Sequence, residues 1–409
     1  MSWRNVYAPH VRVRLPRVDS RDWVSDLSVY LSEGAHQVVE LTVQHVYNPR
    51  IPGPHWDLKS GAMWPDNTPV ALRWGWWADD SASFYGYVAS AEVISTEDAP
   101  RYGHAVQVPV RYVLVGASMP MQTRQNQNWQ NTTLSAVARQ IASEYNLAPR
   151  VQTSHIKFEQ QMQVASDWAF LADLSEQIGY RLFVDGTTLW FVDRGTATPT
   201  SDGTMPVFHA GRVPGPVDTL RDFRAVVGDT DPAGGVRARY QTTSLNRRSG
   251  QIAQATYTQP RNNLPGGPVA PLLNRQFDDR PSPSYAKAEY NLASQVEWLW
   301  VNANAVTNGD ARLKPGVVIA LRGAGLGKAH NGYWMVRSAV HKMEVDHIYP
   351  EKTKYTCELV LGRNQSDRLE LPVQTELPKA APTTLVNGRW RAVYTSTNTS
   401  HVSPAKATA

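Results

Sequence analysis

Two stretches of the chain, more than two hundred residues apart, carry the same pattern of three consecutive strands. The three runs of strand-forming residues in each stretch are Val70–Trp74, Phe84–Ala91 and Val106–Tyr112, then Val318–Arg322, Gly332–Ala339 and Tyr355–Val360. Both middle runs contain Gly-Tyr followed by Val-x-Ser-Ala, and a glycine follows each last run. Self-similarity of this kind indicates a duplicated structural unit. The sequence therefore predicts two similar small antiparallel β-barrels, an arrangement that favours pseudo-symmetry over a single enzyme core.

Length and charge limit the classes of protein to which the chain can belong. With 409 residues it is too long for one ordinary core, so several domains are expected. Its 42% hydrophobic and 19% charged residues are typical of a globular protein. The net charge of +5 is small for this length and no basic run concentrates it, so sequence-specific nucleic-acid binding is not expected.

Cysteine content and hydropathy argue against a disulfide-stabilised, a membrane-spanning or an exported protein. The single Cys357 rules out an intramolecular disulfide, and we expect it to be a small buried residue in a strand. No apolar stretch approaches the roughly 20 residues that a membrane span needs, so stable membrane insertion is not expected. The first residues have no apolar core of a signal peptide, and export by that route is not expected either.

Between the two strand repeats the periodicity changes from two residues to about four. Thr132 or Thr133 is a suitable N-cap for a first helix, and Ser166 for a second. A hairpin from Arg181 to Val192 follows, with Asp185-Gly186 as its turn. The sequence therefore predicts a helix-helix-hairpin domain, an α+β unit inserted between the barrels.

These patterns predict a mostly β fold with four parts. Residues 1–118 form the first tube-like β-barrel, residues 119–204 the inserted α+β domain, and residues 205–370 the second tube-like β-barrel. The second barrel carries a Pro- and Gly-rich long loop at 259–284 and a helix at 285–306, where Leu292, Val296, Leu299, Ala303 and Val306 share one helical face. Residues 371–409, rich in Thr, Ser, Ala and Pro, form an extended C-terminal tail.

Motifs that could carry chemistry are few, and each has a plainer explanation. The string Gly323–Lys328 resembles a phosphate-binding loop, but its spacing is too short and Ala329 replaces the hydroxyl residue, which favours a hairpin loop. His341, Asp346 and His347 lack a third metal ligand at a recognisable spacing. We therefore predict no catalytic, cofactor-binding or metal-binding residues and no enzymatic activity. Paired carboxylates for glycoside hydrolysis stay open, since their spatial separation is not visible in a sequence.

The 14 Trp and 17 Tyr residues are the unusual part of the composition. They would fill barrel cores and subunit contacts, or form a platform for sugars. The first explanation is favoured because many of them lie inside strand runs.

The inserted unit carries a recognisable series of motifs. Trp129 and Thr132-Thr133-Leu134-Ser135 precede Ile141–Leu147, and Ser166-Asp167-Trp168-Ala169-Phe170-Leu171 precedes Gly179-Tyr180. This series resembles the baseplate hub proteins of contractile-tailed phages, the late-control-D family, and the base domain of type VI secretion spike proteins. Leu313-Lys314-Pro315-Gly316 and Gly332-Tyr333-Trp334 resemble that family's second barrel. The likeness covers most of residues 30–365.

The resemblance implies a homotrimer in which each chain supplies two barrels to a pseudo-six-fold ring. Such a ring would adapt the six-fold tail tube to the three-fold central spike and form part of the central channel. The implied partners are the tail tube protein, the central spike protein, and other baseplate and tape-measure proteins, with no cofactor. The implied location is the virion tail baseplate, assembled in the host cytoplasm.

Three alternatives stay open at this point. A receptor- or carbohydrate-binding tail protein would use the aromatic residues, and a cell-wall hydrolase would use acidic pairs. The machine itself could be a phage, a bacteriocin-like particle or a related injection system.

Overall fold

Strands dominate the part of the chain that the structure describes. The computed structural model describes residues 9–211, 219–225, 238–245, 252–259, 273–275, 301–363, 383–386 and 389–392, with gaps at 16–17, 21–23, 48–55, 58–63, 77–78, 95–100, 103–104, 124, 155–156, 179, 347–348, 350–351 and 387–388. The strands within these ranges are β1 (Pro9–Leu15), β2 (Val18–Ser20), β3 (Val24–Ser32), β4 (Val38–Tyr47), β5 (Trp56–Asp57), β6 (Pro69–Trp76), β7 (Asp79–Val93), β8 (Arg101–Tyr102), β9 (Ala105–Gly116), β10 (Gln127–Thr133), β11 (Ala148–Val151), β12 (Lys157–Gln163), β13 (Tyr180–Asp185), β14 (Thr188–Asp193), β15 (Val207–Ala210), β16 (Thr219–Ala225), β17 (Ala238–Leu245), β18 (Ile252–Gln259), β19 (Leu273–Arg275), β20 (Val301–Asn308), β21 (Val318–Arg322), β22 (Gly332–Glu344), β23 (Lys354–Arg363), β24 (Thr383–Val386) and β25 (Arg389–Ala392). The helices there are α1 (Leu134–Glu144), α2 (Asp167–Ile178) and the single turn α3 (Gly327–His330).

One large sheet runs through both predicted β-units. Its strands follow the order β2-β1-β6-β7-β9-β4-β3-β22-β21-β15-β16-β20-β23, with β5 and β8 on side branches. An additional pairing of β22 with β23 closes the second half into a six-stranded barrel. The mostly β class is thus confirmed, and so is a closed barrel in the second unit.

The first β-unit differs from the closed barrel that the sequence predicts. Its strands run in the order β1-β6-β7-β9-β4-β3, and among the described strands β1 and β3 are not neighbours. In the second unit the short β15 lies between β16 and β21, pairs in parallel with both, and so closes the barrel. In the first unit β3 instead continues the ladder onto β22. The ladder therefore passes from one unit into the other.

A single hydrophobic core lies under this sheet. Alternate residues of the strands from both units point into it, and Val29, Leu41, Leu72, Ile319 and Leu361 are fully buried. The period of two follows from strand geometry, which turns successive side chains to opposite faces. The two units therefore bury their apolar residues together.

The inserted unit contains the two predicted helices followed by the predicted hairpin, and its buried residues form a core cluster of their own. Thr133 caps α1 by accepting a hydrogen bond from the N–H of Ala136, and Ser166 accepts one from the N–H of Ala169 at the start of α2. β13 and β14 form the predicted hairpin, with Gly186 in the left-handed region at φ 61°. Gly179, which follows α2 directly, lies outside the described residues.

The predicted helix at 285–306 is wrong where the structure describes it. Residues 301–308 form β20, in which Val301, Ala303, Ala305 and Thr307 are buried and alternate with Asn302, Asn304, Val306 and Asn308. Ala303 and Ala305 lie opposite Leu361 and Leu359, so small side chains face large ones across the ladder. The alternation of burial overrides the helix propensity of alanine. Residues 285–300 lie outside the described ranges.

Two more predicted segments contain strands. β19 lies inside the predicted loop 259–284 and pairs with β17. β24 and β25 form a short hairpin inside the predicted extended tail 371–409. The other residues of both segments are outside the described ranges, and the four domain boundaries stay predictions.

No helix among the described residues has the length and apolar character needed to cross a membrane.

Candidate functional site at the junction of the two β-units

A β-bulge lies at the same place in both units. The ladder between β7 and β9 shifts between Val88 and Ser90, and that between β22 and β23 shifts between Val336 and Ser338. The extra residue is the variable one of the Val-x-Ser-Ala motif in both strands. Bulges bend a strand and increase its twist, so a matched bulge gives matched curvature. The sequence repeat is therefore a repeat of local geometry.

A second pair of bulges extends the correspondence to another strand. β3 shifts register against β4 between Val24 and Asp26, and β16 shifts against β20 between Leu220 and Asp222. From these registers β3, β4, β6, β7 and β9 of the first unit correspond to β16, β20, β21, β22 and β23 of the second.

Each bulged strand accepts a hydrogen bond from a residue in the same unusual backbone conformation. Asn67 at φ 62° and Gly316 at φ 84° both lie in the left-handed region. The N–H of Asn67 donates to the carbonyl of Val88 at 2.7 Å, and the N–H of Gly316 donates to that of Val336 at 2.7 Å. Asparagine and glycine are residues that tolerate this conformation.

The junction of the units is an antiparallel ladder between β3 and β22. It runs from Ser32 opposite Ser338 to Asp26 opposite Glu344. β22 first pairs with β21 as far as Met335, and beyond the bulge it pairs with β3 instead. One strand thus belongs to the second barrel and also extends the sheet of the first unit.

Aromatic side chains fasten the junction on its core side. The indole N–H of Trp76 donates to the carbonyl of Gly309 at 2.7 Å, across 233 residues of sequence. Trp74 meets His341 edge-on, with 5.6 Å between ring centroids. These contacts join β6 of the first unit to the second unit.

We expect the substitution Trp76→Phe to weaken the junction by about 1 kcal/mol, because the carbonyl of Gly309 loses its donor. Amide hydrogen exchange should then speed up in β3 and β22. The matched variant Trp129→Phe also loses an indole hydrogen bond, to Gln163 at 2.9 Å, but inside the inserted domain. Equal exchange at β3 and β22 in the two variants would contradict the expectation.

Oppositely charged pairs cross the solvent face of the sheet. Arg111 pairs with Glu40 at 3.2 Å, Lys342 with Glu358 at 2.6 Å, and Lys354 with Glu344 at 2.8 Å. Each pair is largely exposed and contributes between 0 and about 1 kcal/mol. These pairs place both signs of charge on the solvent face of the described strands.

A buried ion cluster attaches the inserted domain to the junction. Arg181 is fully buried, and its Nε lies 3.9 Å from the carboxylate of Glu33, which follows β3 directly. Arg194 approaches the other carboxylate oxygen at 3.8 Å. Burial raises the pKa of Glu33, and the positive charges of the two arginines partly offset that rise. Arg181 also donates to the carbonyl of Thr196 and to Thr198.

The second barrel contacts this cluster through residues 313–316. A Cβ added to Gly316 would lie 1.4 Å from an Arg181 nitrogen, so the guanidinium packs directly on the glycine. Lys314 pairs with Asp185 of the inserted hairpin at 2.7 Å. The string Leu313–Gly316 therefore acts as a contact surface for the inserted domain.

His341, a candidate metal ligand in the sequence, and Cys357, which is buried in a strand as predicted, form part of one buried network. The ring Nε2 of His341 donates to the carbonyl of Leu313 at 2.8 Å, so Nδ1 is left to accept from the Tyr355 hydroxyl at 2.9 Å. Burial lowers the pKa of His341 to about 4 and raises the pKa of the Cys357 thiol. A thiol held in its neutral form is a poor nucleophile, and the network links β22 and β23 to the segment at Leu313.

The structure also describes the loop Gly323–Lys328 and Asp346, the other candidates in the sequence. Gly323–Lys328 connects the antiparallel β21 and β22, as predicted, through a turn of 3-10 helix and α3. Asp346 lies near the end of β22, and His347 is outside the described residues. In the ranges that the structure covers, no three His, Cys, Asp or Glu side chains lie close enough to hold a metal ion.

The seven tryptophans whose side chains the structure describes lie in or against cores. Trp64, Trp74, Trp129, Trp168, Trp190 and Trp334 are buried, and Trp76 is partly buried against the core. For the other seven of the 14, the choice between core filling and a sugar platform stays a prediction.

Sequence reasoning missed the ion cluster and the β3–β22 ladder. Glu33 and Arg181 are separated by 148 positions in the sequence and share no motif. The one usable signal was a charged residue inside the apolar strand Tyr180–Asp185, where a buried arginine requires an acidic partner.

Comparisons with known proteins agree with this architecture. A family model described as phage tail baseplate hub (GPD) matches residues 33–346. Similar solved structures include a tail protein from Neisseria meningitidis (TM-score 0.57, 11% identity, covering 88% of this chain and 98% of that one) and the 43 kDa tail protein of prophage MuSo2 from Shewanella oneidensis (0.56, 11%, 87% and 98%). A third is the prophage tail protein gp18 from Listeria monocytogenes (0.50, 12%, 87% and 95%). Among curated protein sequences, none matches this chain at a significant level.

Proposed function

Because this chain belongs to the phage tail baseplate hub family, we propose that it is a structural hub that adapts a six-fold tail tube to a three-fold central spike. The observation that carries the proposal is the duplicated β-unit, with the same bulges and the same left-handed entry residues in both copies.

A chain with two equivalent units allows three subunits to present six. Identical chains that contact one another head to tail close into a ring when the rotation between neighbours divides a full turn. In a homotrimer the six units would alternate around the ring and match a six-fold partner on one side. The three inserted domains would retain true three-fold symmetry.

The partners follow from this placement. The tail tube protein would bind one face of the ring and the central spike protein the other, with further baseplate and tape-measure proteins around them. The ring would form part of the central channel of a virion tail assembled in the host cytoplasm. No step of this function requires catalysis, and the junction consists of strand pairing, packing and buried ion pairs.

Stoichiometry tests the proposal. We expect native mass spectrometry of the purified full chain to give three times the 45.5 kDa protomer mass. In purified tails we expect three copies of the chain for each ring of six tube subunits. A monomer at micromolar concentration, together with any other ratio in the particle, would refute the hub assignment.

A further inference from the structure

Two strands of the subunit correspond to the two strands of the intrachain junction, but among the described residues neither forms such a pairing. β3 pairs with β22 along residues 26–32 and 338–344. The strand that corresponds to β22 is β7, and the strand that corresponds to β3 is β16. Within the described ranges, β7 at Ser90–Val93 pairs only with β9, and β16 at Asp222–Ala225 pairs only with β20. Among the described residues, each strand therefore presents one open edge at the place where its counterpart forms the junction.

Exposure of the apolar side chains marks the open edge of β7. Ala339 and His341 of β22 are buried, at 0% and 1% exposed. Their counterparts by register are Ala91 and Val93 of β7. Val93 is 41% exposed, and Ala91 is only partly buried against the core. The core-facing side chains are buried in β22, where the junction forms, and more exposed at the corresponding positions of β7.

The same contrast appears on β16. Leu27 and Val29 of β3 are buried at the junction, whereas their counterparts Phe223 and Ala225 are partly buried. Unpaired backbone groups beside exposed apolar residues form an edge onto which another strand can add.

We propose that β16 of one chain pairs antiparallel with β7 of a second copy, reproducing the β3–β22 junction between subunits. The inference rests on the proposed homotrimer and specifies the contact that closes it. Transferring the observed register places Ala225 opposite Val93 and Arg224 opposite Ile94 of the neighbouring chain. The six junctions of the ring, three within chains and three between them, would then be alike.

Backbone and charge both suit this pairing. The N–H of Ile94 donates to Pro109 of β9, and successive N–H groups of a strand alternate in direction, so the N–H of Val93 points to the open edge. In the transferred register Glu92 lies diagonal to Arg224 on the solvent face, within reach of a cross-strand charge pair. The apolar residues of both edges would become buried.

Paired cysteines test the register directly. The variant Ile94→Cys, Arg224→Cys and the variant Val93→Cys, Ala225→Cys probe two adjacent pairs. Adjacent pairs of an antiparallel ladder alternate between Cα separations of about 5.5 and 4.5 Å, and both lie within the range in which disulfides form. After mild oxidation of the full chain, we expect covalent dimers and trimers on non-reducing gels, with no larger product. Native Cys357 is buried in every variant and does not contribute.

A mismatched pair supplies the control. Ile94→Cys with Arg221→Cys displaces one partner by three residues, roughly 10 Å along the strand, and should stay monomeric on the gel. A trimer by native mass spectrometry that cross-links at neither matched pair would overturn the strand pairing and leave the proposed hub intact. A chain that is monomeric by mass would overturn both, and cross-linking equal to the mismatched control would also reject the register.

Discussion

Replacing Gly316 with alanine should cost more than about 4 kcal/mol of folding stability or prevent folding altogether. The residue lies at φ 84°, where any Cβ is strained by about 1–2 kcal/mol. The added Cβ would also overlap Arg181, whose guanidinium nitrogen lies 1.4 Å from its position. Moving that guanidinium breaks the buried cluster with Glu33, and disruption of a buried ion pair costs about 3–5 kcal/mol. Urea unfolding followed by tryptophan fluorescence measures the loss.

Gly203→Ala is the matched control for this substitution. Gly203 has a similar φ of 76°, but nothing lies within 4 Å of a Cβ built there. Its replacement should therefore show the backbone strain alone, about 1–2 kcal/mol. If the two variants unfold at the same urea concentration, the contact between Gly316 and Arg181 contributes nothing to stability.

Stability should fall by up to about 3 kcal/mol as the pH decreases from 6.5 to 4, through His341. Burial lowers the pKa of His341 to about 4 from its ordinary value of 6.5, so the unfolded chain takes up the proton first. The folded state with neutral His341 therefore loses stability as pH falls through this window, at about 1.4 kcal/mol per unit. We expect His341→Gln to reduce the pH dependence, since a glutamine amide can replace the donor to Leu313 without titrating. The part due to His36, whose pKa burial also lowers to about 4, should remain.

The comparison requires unfolding curves at several pH values for the wild type and the variant. Ser338→Ala, a change on the same strand that alters no titratable group, should keep the wild-type slope. A variant His341→Gln with an unchanged slope between pH 6.5 and 4 would assign the acid sensitivity to other residues.

Local patterns predicted much of the fold because the responsible interactions are local. The caps at Thr133 and Ser166 and the turn at Asp185-Gly186 each depend on residues a few positions apart. The Val-x-Ser-Ala repeat predicted the duplicated strands, and the structure shows that both copies carry a bulge at its variable residue.

The failures come from partners that are distant in the sequence. Ala303 and Val306 fit a helical face, but burial against Leu359 and Leu361 selects a strand for residues 301–308. Nor does any local signal show that β3 pairs with β22 instead of closing the first barrel, since that choice depends on an edge about 310 residues away. The candidate assembly surface is made of such non-local edges, and only the tertiary structure shows it.

The thirteen-residue β22 is shared by both units without a linker, and this has a mechanical consequence. Tilting one unit against the other would require shearing a ladder of backbone hydrogen bonds, so no hinge exists along Asp26–Ser32. A force applied to one unit is therefore transmitted to the other through this continuous ladder of hydrogen bonds.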